Sequence, residues 1–397
     1  MGPKSKKEYL KTVYPRYQKA RSIAEKSSIL TELCIVCGYH RKHAIRLLSA
    51  SSSFRKPSCK KRGRRSFYNN PHILEALKTI WLASGMPCSK RLKSIIPLWL
   101  PNYPGILNPA VTKALTKVSP ATMDRLLRTT RRSHKRSGLS TTRPGSLLRS
   151  QIPIKTGQWD ETLPGYLEAD TVAHCGGSML GQFTNTVDTV DILTQWTEQR
   201  AVWGKGETAT LEQVDDIEQS LPFPLLGFDS DNGGEFINHH LVKHFLGRKV
   251  PIQFTRSRPY KKDDNAHIEQ KNYTHVRQWL GYDRFDAPRI VELLNDLYKN
   301  EWRLYFNFFI PSVKLIDKIR VRSKLIKKHD LPKTPYQRVL LVPDKYIPAQ
   351  TKQKLKEQFE TLNPFQLKKT IDEKIKKILS LATRIVACYN SPSGNIL

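Results

Sequence analysis

The sequence is poor in cysteine and in acidic residues, and it contains no long hydrophobic run. Six cysteines are scattered over 397 residues, which is too sparse for a dense disulfide framework and fits a reducing cytosol. The N-terminus lacks an apolar signal-peptide segment, and no run of about 18 apolar residues occurs, so we expect no membrane span. These absences predict a soluble, cytoplasmic protein.

The shortage of acidic residues is uneven along the chain. The sequence has 67 Lys and Arg against 35 Asp and Glu, which gives a formal net charge of +32. Residues 1–150 carry a net charge of +27 and residues 301–397 carry +12, whereas residues 151–300 carry −7. Basic ends suit a polyanionic partner such as nucleic acid, although they could also serve solubility alone. An acidic middle repels phosphates unless cations intervene.

Residues 1–54 are predicted to form a helix-turn-helix unit. Apolar positions recur at helical spacing on both sides of a break at Gly38, as in two short amphipathic helices joined by a turn. The second helix would present Arg41, Lys42 and Arg46 to DNA phosphates and base edges. The alternative is an ordinary helical hairpin with a solvated basic face.

The same unit contains the spacing C-x2-C-x2-H-x2-H, formed by Cys34, Cys37, His40 and His43. Structural zinc sites usually separate their two ligand pairs by a dozen or more residues. The two cysteines also fall on an apolar stretch, where a free cysteine packs as a small hydrophobic residue. The spacing therefore argues against zinc.

A basic arm at 55–70 follows the first unit. Its core at 61–65 lacks apolar residues and is of the kind that enters a narrow minor groove, although a solvated spacer is the alternative. Its expected DNA-contacting residues are Arg62, Arg64 and Arg65.

Residues 71–132 are predicted to be a second helical DNA-binding region. They repeat the helix–glycine–helix pattern, and Ser119 followed by Pro120 predicts the start of a helix. Residues 133–159 are rich in Ser, Thr, Arg, Gly and Pro and are predicted to be a linker.

Between 160 and 310 the pattern predicts an α/β domain. Short segments rich in β-branched and aromatic residues are separated by turn residues and helical segments. We expect three strands in a meander, then a helix, a strand, a helix, a strand and a helix. The basic region 311–397 is expected to be mainly helical from residue 351 onward, and its fold is otherwise open.

Three carboxylates of the α/β region lie on elements that can face one point. Asp170 lies in the strand segment LEADTVAH, Asp231 follows the apolar strand PLLGF, and Glu269 lies in the first turns of the helix NAHIEQKN. Hard divalent cations prefer oxygen ligands. Two such ions can clamp the attacking and leaving oxygens of a phosphoryl transfer.

The segment FDSDNGGEF offers two aspartates, Asp229 and Asp231, of which we assign Asp231 to the site. The two share strand parity, so both can face the same way. Asn-Gly between strands is by itself a hairpin signal. Asp231, however, lies at the strand end, beside a glycine pair that permits close approach of a substrate. Asp229 is expected to have a supporting or structural role.

Taken in order, the motifs LEADTV, DSDNGGEF and SRPYKKDDNAHIEQKN resemble those of retroviral-integrase-like DDE transposases, especially bacterial insertion-sequence transposases. The resemblance spans residues 160–310. It implies an RNase H-like catalytic core, a mixed five-stranded sheet with helices. With the patterns on either side, the expected architecture is this core preceded by helix-turn-helix units and followed by a basic, mainly helical tail. It also implies DNA cleavage and strand transfer at the ends of a mobile element. Two Mg²⁺ or Mn²⁺ ions would be held by Asp170, Asp231 and Glu269.

The resemblance further implies double-stranded DNA partners, namely the terminal repeats of the element and a target, and a homo-oligomer assembled on DNA at the nucleoid. The alternatives are an inactive, domesticated DNA-binding protein or repressor that retains the fold, and a nuclease that cuts without joining. Basic residues near the third carboxylate are expected to contact phosphates. They are Arg256, Arg258, Lys261, Lys262 and Lys271.

Overall fold

The computed structural model describes residues 2–49, 67–68, 70–134, 161–230, 235–236, 238–256, 266–321 and 324–390. The chain forms two compact units, Met1–Phe67 and Tyr68–Leu397. Most of the linker expected at 133–159 lies outside the described residues. So do several expected site residues, namely Arg62, Arg64, Arg65, Asp231, Arg258, Lys261 and Lys262.

The first unit contains three helices, α1 (Pro3–Lys19), α2 (Ile23–Cys37) and α3 (Arg41–Ser49). Gly38 ends α2 with φ +64°, a left-handed conformation that glycine adopts without a steric cost. Leucines and alanines of α2 and α3 fill a small core together with Cys37. The two helices around Gly38 are confirmed, whereas their assignment to the DNA-binding helix-turn-helix class stays a prediction.

A mixed five-stranded sheet forms the centre of the second unit. Its strands are β1 (Tyr166–Ala173), β2 (Thr184–Asp191), β3 (Thr197–Trp203), β4 (Gly227–Ser230) and β5 (Gln253–Arg256). Their order across the sheet is β3-β2-β1-β4-β5, so β1 is central. β1 pairs antiparallel with β2 and parallel with β4, while β2–β3 is antiparallel and β4–β5 parallel. This sheet fits the expected RNase H-like core.

The two faces of the sheet differ because side chains alternate along a strand. On one face, Leu167 and Ala169 of β1 pack in an apolar core with helices α8 (Glu207–Ser220) and α9 (His239–Leu246). Val172 belongs to the larger core on the other face. The same alternation places Glu168 and Asp170 on that second face.

Two helical segments, separated by residues 281–287, cover the second face. Their α-helices are α10 (Ala266–Lys271), α11 (Gln278–Leu280), α12 (Pro288–Leu297) and α13 (Arg303–Phe309). A π-helical turn, Asn272–Arg277, joins α10 to α11, and a second one, Tyr298–Trp302, joins α12 to α13. Such turns frequently lie at functional sites. The second segment begins at Pro288, contains the second of these turns and ends in the aromatic-rich α13.

The remaining helices of the second unit share one hydrophobic core with this face of the sheet. Trp99 Nε1 donates to the Phe309 carbonyl at 3.3 Å, and the Tyr305 hydroxyl donates to the Ala83 carbonyl at 2.6 Å. Ser119 caps a helix as expected, because its Oγ accepts the Thr122 amide at 3.2 Å. These helices are α4 (Pro71–Ala83), α5 (Ser89–Trp99), α6 (Pro109–Lys117), α7 (Pro120–Arg132), α14 (Pro335–Leu341), α15 (Ala349–Thr361), α16 (Pro364–Asn390) and a short 3₁₀ turn, Leu100–Asn102.

An additional antiparallel hairpin, β6 (Leu315–Val321) and β7 (Lys324–His329), precedes α14. It lies in the region 311–397, for which the sequence predicted no strands. Within the described stretches, no helix has the length and apolarity needed to cross a bilayer.

Candidate active site

A row of polar side chains crosses the second face of the sheet. Asp170 of β1 lies opposite Asp188 of β2, which lies opposite Gln199 of β3. Gln199 Nε2 donates to Asp188 Oδ1 at 2.7 Å. Complete burial raises the pKa of Asp188 to about 7, although the Gln199 hydrogen bond and the Lys271 charge oppose the rise. The carboxylate of Asp170 therefore has a neighbour that keeps its proton far more readily than an exposed aspartate does.

The carboxylate of Asp170 is half-buried and oriented by two donors. Its Oδ1 accepts the Thr171 amide at 2.7 Å, and its Oδ2 accepts Asn272 Nδ2 at 2.6 Å. Asn272 begins the first π-helical turn, three residues after Glu269. The helix that carries the third expected carboxylate is thus hydrogen-bonded to the first.

A second link between β1 and α10 is made by Glu168, two residues before Asp170. This side chain is fully buried, and its Oε2 accepts the backbone amide of Ile268 at 3.1 Å. The first amides of a helix have no partner within the helix, so a carboxylate from a neighbouring strand satisfies one of them here. Ile268 directly precedes Glu269, whose side chain is exposed.

The second expected carboxylate, Asp231, lies outside the described residues, but the chain on both sides of it is anchored beside Asp170. Before it, Ser230 pairs with Ala169. After it, Glu235 Oε1 accepts the Thr171 hydroxyl at 2.6 Å. Ala169 and Thr171 are the two neighbours of Asp170 in the chain.

Glu235 is itself held by a second partner. Its carboxylate is buried and pairs with Lys205 Nζ at 2.9 Å. Burial alone would raise the pKa of Glu235, but the Lys205 charge and the Thr171 hydrogen bond lower it below its usual value. Glu235 is therefore an ionised anchor for the segment that follows Asp231.

Asp229 has a different environment. It is buried in β4 and accepts a hydrogen bond from the Thr255 hydroxyl of β5. This hydrogen bond lies within the sheet, which suits a supporting role.

The expected DNA contact of Lys271 does not fit its position. Lys271 is 4% exposed, so its ammonium group lies inside the protein, out of reach of a phosphate backbone. Burial lowers the pKa of Lys271 to about 7, and the nearby charge of Asp188 opposes this shift. Its neighbour His275 is also buried and stacks on Phe306 with ring centroids 4.0 Å apart.

The other expected DNA contacts that the structure describes are one buried residue in the second unit and three exposed residues in the first. The buried residue is Arg256, which is 8% exposed at the end of β5. On α3 of the first unit, Arg41, Lys42 and Arg46 are exposed. Arg41 donates to the hydroxyls of Thr31 and Ser27 at 3.1 and 2.7 Å.

Among the described residues, one group of three side chains has ligand atoms within 4.8 Å of one another, as a metal ion would need. It comprises Asp215, Glu218 and His244, on α8 and α9, on the opposite face of the sheet from Asp170. Arg248 pairs with Glu218 at 2.7 Å, and His244 Nε2 lies 2.8 Å from Asp215 Oδ1. This ion-pair network accounts for the cluster without a metal.

Four residues of the site were missed in the sequence analysis, and two of them carry a local signal. Glu168 shares the strand parity of Asp170, and Asn272 lies one helical turn beyond Glu269. For Asp188 and Glu235, the partners that define their roles are distant in the chain.

The mixed sheet, its strand order and the carboxylates gathered on β1 fit the integrase-like, RNase H-like class of catalytic core. No protein-family model matches the sequence. The chain is 38% identical over 341 residues to the uncharacterized protein y4rM of Sinorhizobium fredii (strain NBRC 101917 / NGR234), and the match covers 83% of this chain and 94% of y4rM. The chain therefore belongs to the same family as y4rM.

Two solved structures of viral proteins are also similar. The first, a simian T-cell lymphotropic virus intasome in complex with PP2A regulatory subunit B56 gamma, is 13% identical, covers 57% of this chain and 69% of that chain, and gives a TM-score of 0.30. The second, the catalytic core domain of BIV integrase, is 15% identical, covers 44% of this chain and 91% of that chain, and gives 0.25. At TM-scores this low neither match shows a common fold, so we assign the core from strand order and register.

Proposed function

We propose that the protein is a metal-dependent polynucleotidyl transferase, a transposase or integrase that cuts and joins DNA at the ends of a mobile element. The supporting observation is the anchoring of the chain on both sides of Asp231 to Ala169 and Thr171, the neighbours of Asp170. Asp231 directly follows Ser230 in the chain. The hydrogen bond from Asn272 to Asp170 also holds α10, the helix that carries Glu269, next to Asp170.

The donor set suits a hard divalent cation. Asp170 offers carboxylate oxygens in a half-buried position, and Glu269 has an exposed side chain on the adjoining helix. Oxygen-only ligand sets favour Mg²⁺ or Mn²⁺ over softer metals. We propose that Asp170, Asp231 and Glu269 hold two such ions. When bound, they would supply Lewis-acid chemistry, polarising the scissile phosphate and lowering the pKa of the attacking hydroxyl group.

The residues of the chain orient this chemistry. Thr171 and Asn272 fix the carboxylate of Asp170, and Glu168 fixes the start of the helix that carries Glu269. In the first step a water oxygen attacks a phosphodiester at the element end, and the P–O bond breaks to leave a 3′-hydroxyl. In the second step that hydroxyl attacks a target phosphodiester, forming one P–O bond as another breaks. No side chain is required as a general base.

We propose double-stranded DNA as the partner, and a homo-oligomer assembled on paired ends. The exposed basic residues of α3 support DNA contact by the first unit. The arm residues Arg62, Arg64 and Arg65 are proposed to contribute phosphate contacts.

A strand-transfer assay on supercoiled plasmid tests the proposed function. The full chain is incubated with Mg²⁺ and with the DNA that flanks its gene as donor ends. We expect joined products from the wild type, background levels from Asp231→Asn, and most of the activity from the isosteric control Asp229→Asn. Activity that survives Asp231→Asn contradicts the assigned site.

Two other outcomes separate the alternative functions. Cleaved products without new junctions support a nuclease that cannot join DNA ends. DNA binding without any cleavage or joining of flanking DNA supports an inactive DNA-binding protein or repressor.

A further inference from the structure

The hairpin formed by β6 and β7 is a strongly basic ribbon. Residues 314–329 contain seven Lys and Arg and one acidic residue, Asp317. In the described part of the chain, the two strands pair only with each other and not with the five-stranded sheet. A two-stranded hairpin without further packing is marginally stable in water. The hairpin therefore needs stabilising contacts, either from a binding partner or from the residues where it joins the rest of the second unit.

The base of the ribbon is firmly held by the rest of the second unit. The Lys314 amide donates to Asp330 Oδ1 at 2.6 Å, and the Asp330 amide donates to the Lys314 carbonyl at 2.9 Å. Arg338 of α14 is buried and pairs with Asp330 at 2.6 Å. Lys314 Nζ also reaches the Leu193 carbonyl at 3.2 Å. These contacts fix the direction in which the two strands extend.

Beyond this base the ribbon is exposed on both faces. Ile316, Ile319, Val321 and Ile326 keep 49–60% of their surface in contact with solvent. Branched aliphatic side chains grouped in this way are typical of an interaction surface.

Charge and shape indicate the partner. Ile319 pairs with Ile326 and Arg320 pairs with position 325, so Arg320 and Lys327 share one face and the aliphatic residues Ile319, Val321 and Ile326 share the other. Both basic side chains are exposed. Neither forms an ion pair with an acidic residue in the described part of the chain, so both are available for a polyanion.

We propose that the β6–β7 ribbon is a DNA-binding surface that enters a groove of double-stranded DNA. The major groove admits a two-stranded β-ribbon. Long basic side chains can reach the phosphates that border it, and aliphatic side chains can contact thymine methyl groups. This inference rests on the DNA partner of the proposed function and assigns to it a surface outside the carboxylate site.

The test measures the affinity of the full chain for a random-sequence DNA duplex by fluorescence anisotropy at several salt concentrations. Each phosphate contact contributes about 0.9 to the slope of log affinity against log salt. The double variant Arg320→Ala/Lys327→Ala is expected to reduce that slope by about 2 and to weaken binding roughly tenfold near physiological salt.

The matched control is Lys376→Ala/Lys377→Ala, which removes two exposed charges from α16. We expect it to keep the wild-type slope, and circular dichroism should show that both double variants are folded. A ribbon variant that retains the wild-type slope, or one that changes only as much as the control does, overturns the proposal.

A second copy of this chain is the competing occupant of the aliphatic face. In that case Ile319→Thr/Ile326→Thr would change the oligomeric state without DNA and leave DNA affinity unchanged, which would overturn the assignment. The proposal instead expects weaker DNA binding and an unchanged oligomeric state without DNA.

Failure of this inference is distinguishable from failure of the proposed function. If the ribbon variants bind DNA more weakly but the wild type never joins DNA ends, the ribbon proposal is supported and the transferase proposal is contradicted. If the wild type joins DNA ends and the ribbon variants bind DNA like the wild type, the transferase proposal is supported and the ribbon proposal is contradicted.

Discussion

Asn272 links the helix of Glu269 to Asp170, and its replacement by alanine removes a donor from a carboxylate that we assign to the site. The Nδ2 group donates to Asp170 Oδ2 at 2.6 Å. A hydrogen bond to a charged group contributes about 1.5–3 kcal/mol, which corresponds to roughly 10- to 150-fold in rate if it is needed to orient the carboxylate. Loss of partners that orient metal ligands typically costs about 10–100-fold in metal affinity or activity.

We therefore expect Asn272→Ala to slow single-turnover strand transfer by about 10–100-fold and to raise the Mg²⁺ concentration needed for half-maximal rate. The side chain is half-buried, and loss of its hydrogen bond should also lower the thermal unfolding midpoint by a few degrees, so rates are compared at a temperature well below that midpoint. Asn272→Asp should cost more, because it places a second negative charge against Asp170.

The chain offers a matched control in Asn300, which lies in the other π-helical turn. Its Nδ2 donates to Asp296 Oδ1 at 3.1 Å at an exposed position. Asn300→Ala removes the same kind of hydrogen bond away from the site and should leave the rate unchanged. A wild-type rate and Mg²⁺ requirement in Asn272→Ala, or equal losses in both variants, would refute this role of Asn272.

Three further predictions concern buried carboxylates. Glu168→Ala leaves the Ile268 amide without its acceptor and should lower the free energy of unfolding by about 1–3 kcal/mol. Glu168→Gln should recover most of this loss in urea denaturation, and no recovery would contradict the capping role. Asp191 accepts hydrogen bonds from the Gly165 amide and from the Thr194 amide and hydroxyl. Asp191→Ala should therefore destabilise the protein by about 3–5 kcal/mol in the same assay, and a loss within experimental error would rule out that anchoring. The third prediction concerns pH. Burial raises the pKa of Asp188 from 3.8 to about 7, so the folded state keeps a proton that the unfolded state releases. This group then stabilises the fold fully below about pH 4, and its contribution is lost as the pH rises towards 7. Asp188→Asn should therefore gain stability relative to wild type more at pH 8 than at pH 5, by about 2–3 kcal/mol, and an equal difference at both pH values would contradict the shift.

Local patterns were sufficient to predict most elements of the core. Short segments rich in β-branched and aromatic residues predicted the strands, and the Ser119–Pro120 pair predicted the start of α7, which the structure confirms. The segment LEADTVAH was expected to be a strand carrying Asp170, and it forms β1. Contacts between distant residues were not predictable in this way, because the Glu168–Ile268 hydrogen bond joins residues 100 positions apart.

The amino-acid composition gave no clear sign of two structural features, the β6–β7 hairpin and the burial of Lys271. The β6–β7 hairpin is dense in Lys and Arg, which are not enriched in strands, so its alternating aliphatic residues gave a weak signal. Lys271 resembled a surface cation, since charged residues are rarely buried without a partner. Its partner, Asp188, comes from a strand far earlier in the chain.

The helices before and after the α/β region were expected to form separate regions. Instead, residues such as Trp99 pack into the core shared with α13. An amphipathic helix shows in its sequence that one face is buried, but it does not show which neighbour covers that face.

The most direct test of the carboxylate site is anomalous diffraction from crystals of the full chain soaked with Mn²⁺. We predict anomalous peaks within about 2–2.5 Å of the carboxylate oxygens of Asp170, Asp231 and Glu269, and their loss in Asp170→Asn crystals. Peaks confined to the Asp215–Glu218–His244 cluster, or an Asp231 carboxylate turned away from Asp170, would contradict the site and the function proposed from it.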